Sequence, residues 1–507
     1  MATPWLSWHA LAVIGALLVY VMVTRLRRDR RPPVAAIAWV LALLLAPYLA
    51  LPLYLIFGGR KQRPVTPRPA RSVPADEHWT AAYARGFGLA GPATGAVRFH
   101  ADSTASLRAL IALIGSARST LDLATFVFAA DADGERVAAA LIERQHAGVR
   151  VRVLIDGAGL LLARRGIVAR LRRAGVGVRV FQPPWVPRLG QARNLRNHRK
   201  WTIADGERVW MGGRNLAAEY FSSDRGGPPW IDLTFELDGA IGAVVARQFE
   251  RDWARGGGGA VAAASRGEPA VVAATASDAN LAAAGSSARV PRGPAAQTAG
   301  PGGSVSADVP ADRTGSASIG SGAIASDAGA AGLLFVPSGP DQAEDTVLAL
   351  LEAACSRARQ RIVAVTPYFV PDPGLLQALR LACLRGVTLD LVVPARSNHR
   401  IADLARSRAL RSLAAAGARI HLSAGMVHAK AIVFDAGLAL AGSVNLDTRS
   451  LLLNYESMLL IRSPEAIAWL ADWILAQAVA AQPYVATEPS LARDVGEGLL
   501  LALTFEV

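Results

Sequence analysis

The sequence predicts an α/β protein in which an N-terminal pair of apolar helices precedes two copies of one lobe, with the functional site at the seam between the copies. Three observations predict it: two long apolar runs near the N-terminus, a strand–helix–strand order that occurs twice, and a histidine–lysine–aspartate pattern near the end of each copy. With 507 residues, 52% of them hydrophobic, the chain has enough apolar side chains for membrane segments as well as a buried core.

The apolar runs come first. Residues 5–23 carry only Ser7 and His9 as polar interruptions, and residues 34–57 carry no charge at all. Each is long enough to cross a bilayer. Trp5, Trp8, Tyr48 and Tyr54 suit the interface, and Pro47 and Pro52 are tolerable in a membrane helix whose freed carbonyls find other partners. The start "MATPW" has no basic stretch and no small-residue cleavage site follows, so the expectation is an anchor and not a signal peptide. Residues 1–60 are therefore read as a membrane hairpin and 61–92 as a linker. Arginines fill the connection between the runs, and a second basic stretch follows the hairpin. The positive-inside rule is split, and the side occupied by the rest of the chain stays open.

From residue 93 the pattern is α/β. "STLDLATFVF" and "VRVRVLID" are β-rich and flank "DGERVAAALIERQHAG", whose apolar residues recur at helical spacing. The same order returns in "RIVAVTPYFV", "GLLQALRLACLRG" and "VTLDLVVP". The first lobe is placed at 93–253 and the second at 333–485, an internal repeat of a whole domain. Between them, 254–332 is dominated by Gly, Ala, Ser, Pro and Thr and is read as a disordered insertion, because it cannot bury enough apolar surface to offset its chain entropy. Residues 486–507 are read as a tail.

The chemistry is carried by "NHRKWTIAD" and "MVHAKAIVFD". His198, Lys200 and Asp205 in the first copy have the spacing of His428, Lys430 and Asp435 in the second. Only three lysines occur in the chain, Lys61 being the other, so two of the three belong to one pattern. With 8 histidines and this scarcity, chance gives roughly 0.002 matches. A compact ammonium is evidently wanted, since guanidinium is not interchangeable with it. His and Lys two apart on a strand share a face. Two imidazoles and two ammonium groups around one pocket suit a phosphodiester: lysines neutralise the nonbridging oxygens, one imidazole attacks phosphorus and the other moves protons. The aspartates fall at strand ends, where they suit local hydrogen bonds better than attack on substrate.

Small residues and an asparagine follow each motif: Gly213 and Asn215, then Ser443 and Asn445, read as phosphate-binding or supporting positions. Asp232 and Glu456 are candidates to orient an imidazole. No clustered ligands suggest zinc, and no cofactor is expected. The cysteines, Cys355 and Cys383, build no disulfide framework. His399 and His421 are read as surface or packing residues. "FQPPWVPRLGQARNLR" suits either a headgroup contact or a Pro-stiffened loop. The net charge of +14 suits nucleic acid or anionic lipid. Aromatic and basic residues are not interleaved along a groove, so no nucleic acid partner is expected.

The paired HxKxxxxD motifs, with "GGRN" and "GSVN" after them, resemble the phospholipase D superfamily. "APYLALPLYLIFGGRK", "SGPDQAED", "TPYFVPD" and "NLDTRSLLLNYES" resemble bacterial cardiolipin synthases within it. The resemblance implies a two-lobed phospholipase D fold in the bacterial inner membrane as a multi-pass protein. It implies transfer of a phosphatidyl group between two phosphatidylglycerol molecules through a phosphohistidine, with release of glycerol. It makes His198, Lys200, Asp205, His428, Lys430 and Asp435 the catalytic set, His198 the nucleophile and His428 the acid and base. Water in place of the acceptor would make the same site a phospholipase D hydrolase, and a nuclease could use the same motif. Departures are Ile231 in "WID", where the family shows arginine, Phe126 in place of tyrosine, and no aromatic residue before the second motif.

Overall fold

The computed structural model describes residues 4–27, 33–58, 78–162, 166–183, 194–222, 227–256, 326–327 and 332–504. At the N-terminus lie α1 (Pro4–Arg27), α2 (Pro33–Leu45) and α3 (Pro47–Phe57), packed through Ala16, Tyr20, Leu43, Ala50 and Tyr54. The run expected as one helix over 34–57 is thus two. Pro47 has no N–H and its ring opposes the preceding turn, so Ala46 leaves helical geometry (φ −143°, ψ 63°) and Pro47 starts a new helix. At 13 and 11 residues, α2 and α3 are about 20 and 16 Å long against a hydrocarbon layer of about 30 Å. Among the described residues no helix is long and apolar enough to cross a membrane. The expected pair of spans is therefore not shown by these helices.

The linker expected over 61–92 contains a helix, α4 (Trp79–Phe87), started by His78, whose ring accepts from the Thr80 N–H, and stopped by Gly88 at φ +67°. Tyr83 ties it to the second lobe by donating to the Thr346 carbonyl. Residues 59–77 lie outside the described residues.

The first lobe follows as β1 (Ala96–His100), α5 (Ser103–Ser116), β2 (Thr120–Thr125), α6 (Ala132–His146), β3 (Arg150–Asp156), α7 (Gly157–Leu162), α8 (Ile167–Arg173), β4 (Gly177–Phe181), β5 (Trp201–Ala204), β6 (Arg208–Gly212), β7 (Thr234–Asp238) and α9 (Ala240–Gly256). Its sheet runs β4-β3-β2-β5-β6-β7-β1, with a short β8 (Ser326–Asp327) beyond β1. The strands on the β4 side are parallel and the rest antiparallel. The insertion expected over 254–332 is therefore ordered at both margins: α9 runs on to Gly256, and Ser326–Asp327 pairs with β1. The rest of 254–332, apart from Gly332, lies outside the described residues.

The second lobe repeats the plan. It contains β9 (Leu334–Ser338), α10 (Thr346–Arg357), β10 (Arg361–Val365), β11 (Phe369–Val370), α11 (Pro373–Leu384), β12 (Thr388–Pro394), α12 (Arg400–Ala405), α13 (Ser407–Ala415) and β13 (Arg419–Ser423). Then come β14 (Ala431–Phe434), β15 (Leu438–Gly442), β16 (Leu446–Asp447), α14 (Thr448–Leu452), β17 (Glu456–Ile461), α15 (Pro464–Val479), β18 (Gln482–Pro483) and α16 (Leu491–Thr504). The sheet order β13-β12-β10-β14-β15-β17-β9 reproduces the first lobe strand for strand, with β18 added at the β13 edge. The expected tail, 486–507, contains α16. This helix packs on α12 and α13, with Arg408 paired to Asp494 and Arg411 to Glu497.

The lobes share one apolar core. Ile241, Val245 and Phe249 form the buried stripe of α9, and Phe99 of β1 stacks on Trp469 of α15 at 4.7 Å between ring centres. A separate core under α5, α6 and α8 covers the other face of the first sheet. Segments leading into strands of the two lobes are joined by backbone pairing at the seam, Asn197 with Tyr455 and Ile231 with Val427, and that pairing positions the site.

Candidate active site

Each motif histidine sits just before its strand, where its backbone is clasped by the other lobe. The His198 N–H donates to the Tyr455 carbonyl at 2.9 Å, and the Tyr455 N–H donates to Arg196 at 2.8 Å. Across the seam, the His428 N–H donates to the Ile231 carbonyl at 2.7 Å, and Ile231 in turn donates to Met426 at 2.9 Å. In the first lobe Asp156, at the end of β3, also accepts from the Asn197 N–H at 2.8 Å. Ile231 thus clasps His428 through its main chain, while its side chain packs against the apolar core.

The carboxylates cross over. His198 of the first lobe pairs through Nδ1 with Glu456 of the second at 2.9 Å, and His428 of the second pairs through Nδ1 with Asp232 of the first at 2.7 Å. All four side chains are largely or wholly buried. An ionised carboxylate only accepts, so Nδ1 carries the proton and Nε2 keeps a lone pair. Burial alone would raise both carboxyls. His428, Lys430 and Arg214 bring Asp232 below its ordinary value, and His198, Lys200 and the Ser443 hydroxyl do the same for Glu456.

Both imidazoles line one cavity of about 550 Å³ whose walls come from both lobes. Phe126 packs edge-on to His198 at 4.8 Å, and Tyr220 to His428 at 5.1 Å. Lys200 Nζ donates to the His198 carbonyl at 2.6 Å, while Lys430 Nζ lies against the His428 ring, 2.7 Å from Nδ1 and 3.0 Å from Nε2. Burial, with the neighbouring ammonium second, lowers His198 to about 4 and His428 to about 3. The lysines are lowered too, Lys200 to about 7 and Lys430 to about 8, burial being the main cause. The resting site therefore holds two neutral imidazoles and two ammonium groups that lose their protons easily.

Asp205 and Asp435 belong elsewhere, which corrects their place in the catalytic set. Both follow the far ends of their strands at φ +53°. Asp205 accepts from the backbone of Arg118, Ser119 and Thr120, and Asp435 from that of Arg359, Gln360 and Arg361. Seven extended residues carry a chain about 23 Å, which removes these carboxylates from the histidines. They tie β5 and β14 to the turns before β2 and β10.

Gly213 touches Asp232: a Cβ there would lie 2.1 Å from its Oδ1. The glycine thus admits the carboxylate that holds His428. Asn215 and Asn445 line the cavity, but each spends a donor on a neighbour, Asn215 on the Tyr220 hydroxyl at 2.8 Å and Asn445 on Ser450 at 3.1 Å. Ser443 is buried behind the site and accepts from the Ser457 N–H. Among the described residues no group of three or more His, Cys, Asp or Glu is placed to hold a metal ion.

With this geometry the comparisons with known proteins agree. Residues 110–253 and 351–477, more than half of the 507, match the family described as cardiolipin synthase, PLD-like domain. The chain belongs to the cardiolipin synthase family of phospholipase D-like proteins. Residues 13–59 match the phospholipase D-nuclease N-terminal family. Cardiolipin synthase A of Pseudomonas aeruginosa is 29% identical over 448 residues, 83% of this chain and 80% of its own length. The major cardiolipin synthase of Bacillus subtilis is 29% identical over 356 residues, 70% of this chain and 63% of its own. Among solved structures, phosphatidylserine synthase of Haemophilus influenzae Rd KW20 shares the fold, with a TM-score of 0.52 at 13% identity over 84% of this chain and 97% of that one. As a member of this family the chain is a phosphatidyltransferase of the phospholipase D type.

Three features of this cardiolipin synthase family member escape the sequence reading. Arg199, between His198 and Lys200, points away from the cavity and is fully buried. It pairs with both oxygens of Asp252 at 2.7 and 2.8 Å and with Asp341 at 3.2 Å, and it donates to the carbonyls of Glu456 and Ser338. Asp341 is the first acid of "SGPDQAED", so that stretch serves the seam. Arg214, in "GGRN", is likewise buried and bonds to the carbonyls of His100 and Ala101. Finally, His399, read as structural, lines the cavity, packed edge-on against Tyr368. Alternation along the strand could have flagged Arg199; nothing local marks His399. His421 is structural, bonded to Asp390. Most of the "FQPPWVPRLGQARNLR" loop lies outside the described residues.

Proposed function

We propose that the protein joins two phosphatidylglycerol molecules into cardiolipin and releases glycerol. The observation that carries this reading is the crossed pair of imidazole–carboxylate couples facing one cavity. Nε2 of neutral His198, the more open of the two with 14% of its side chain exposed against 5% for His428, attacks phosphorus of the first lipid. The bond from phosphorus to the glycerol oxygen breaks, and His428 gives that oxygen its proton. Neutral His428 then takes the proton of a hydroxyl on the second lipid, whose oxygen attacks the phosphohistidine. The P–N bond breaks, and both imidazoles return to their first state.

A phosphodiester anion between Lys200 and Lys430 raises the pKa of every cation near it, which supplies the protonated His428 that burial alone denies. The same ammonium groups offset charge on the nonbridging oxygens. The apolar helices α1 to α3 attach the enzyme to the bacterial inner membrane, where donor and acceptor are held at high effective concentration. Membranes containing the protein, given phosphatidylglycerol labelled in the terminal glycerol, should release label in step with cardiolipin. Release with phosphatidic acid alone would mark a hydrolase. His198→Ala and His428→Ala should each lower turnover by ~10³-fold or more.

A further inference from the structure

The mouth of the cavity is apolar on both lobes. Leu162 of α7 and Ile401 of α12 line it, and next to them Leu161 and Leu404 are 62% and 60% exposed. Scattered exposed leucines are ordinary. Four large aliphatic side chains on two short helices at one opening, one helix from each lobe, form a patch. Arg396 and Arg400, both exposed, flank it at the start of α12. Beyond the rim, α12 packs against α16, and α16 against α2, which with α1 and α3 carries the exposed Leu11, Leu18, Leu45 and Leu49. A cavity of about 550 Å³ suits a headgroup and its phosphate, so the acyl chains of a lipid have to remain outside it.

We propose that the rim formed by α7 and α12 is a docking surface for an anionic bilayer. Leu161, Leu162, Ile401 and Leu404 enter the boundary between headgroups and acyl chains, while Arg396 and Arg400 meet lipid phosphates. A lipid then enters the cavity headgroup first and never leaves the membrane. This rests on the lipid phosphodiester reading above. It adds that the mouth itself, and not the N-terminal helices alone, touches the bilayer.

The test uses the full chain and the variant Leu161→Glu/Leu404→Glu, whose two positions lie beside the cavity and not in it. Turnover is compared on long-chain phosphatidylglycerol in vesicles and on short-chain phosphatidylglycerol dissolved below its micelle concentration. The variant should lose about tenfold on vesicles and stay within about twofold of the parent on the dissolved lipid. Equal loss on both, or no loss on vesicles, overturns the proposal. Independently of turnover, Leu404→Trp in vesicles of brominated anionic lipid should show quenching of the added fluorescence, and its absence would also overturn the rim. Quenching together with no conversion of either lipid by the parent chain would count against the proposed reaction and leave the rim standing.

Discussion

In the first lobe the residue between motif histidine and lysine is Arg199, ion-paired to Asp252 and Asp341; in the second it is Ala429, buried in the apolar core. The contrast recurs. Arg214 braces the loop after β6, where the second lobe has Val444, and Asp156 ends β3, where β12 ends in Pro394. Sheet order, imidazoles and crossed carboxylates are common to both lobes. The two lobes thus share the imidazole–carboxylate couples and differ in bracing, with buried charge beside the first motif and apolar packing beside the second.

The sharpest way to break that comparison is Arg199→Ala. Among the described residues it leaves buried Asp252 and Asp341 with only the longer Arg255 contacts at 3.5 and 3.6 Å as ion pairs and should cost about 3 kcal/mol, read from denaturant midpoints, because removing one partner of a buried network leaves its charge poorly compensated. Ala429→Gly should cost only about 1 kcal/mol. Similar losses at the two positions would mean that the lobes are braced alike.

Next come the crossed couples. Glu456→Gln and Asp232→Asn should each slow turnover by about 10²-fold or more, since the wrong tautomer is then favoured. Because the couples cross, Glu456→Gln should slow formation of the covalent intermediate at His198, although it lies in the other lobe. Asp232→Asn should slow its transfer to acceptor. Rapid-quench measurement of the two steps separates them.

A smaller effect is expected from pH. Lys200, lowered to about 7, and Lys430, lowered to about 8, lose their charge as pH rises, so kcat/KM should fall about tenfold per unit above that range once one proton is lost. Stability should move the other way. Folded pKa values below the ordinary 10.5 mean that the unfolded chain binds more protons between about 7 and 10.5, and stability rises with pH across that window. The histidines repeat the sign lower down: from 6.5 down to about 4, falling pH costs stability as the unfolded chain takes up protons that the buried rings resist. Thermal melts across pH check both windows.

The smallest effect belongs to Asp205→Asn, which should cost about 1 kcal/mol in a melt and leave turnover unchanged. Asparagine tolerates the positive φ and keeps most of the contacts with the Arg118–Thr120 backbone. A large loss of activity would return Asp205 to the chemistry.

Much of the plan was legible in the chain. Repeated β-rich runs around an amphipathic helix announced two equal lobes, and lysine scarcity made Lys200 and Lys430 stand out. Helix α4, with His78 and Gly88 as its stops, and α16 are not legible from sequence because they pack against partners distant in sequence. Pro47 is legible as a proline, but a proline alone does not say whether a helix bends or ends; here it ends before Ala46.

Local spacing by itself determined which residue types recur in the two copies, since the repeated His-x-Lys pattern stands out whatever lies around it. Only the tertiary structure decided that Glu456 serves His198 and Asp232 serves His428. It also took Asp205 out of the site and Arg199 into the seam. Those outcomes depend on which strand ends meet when two lobes share a core, a property of pairing between segments 196 and 258 residues apart that no local pattern encodes.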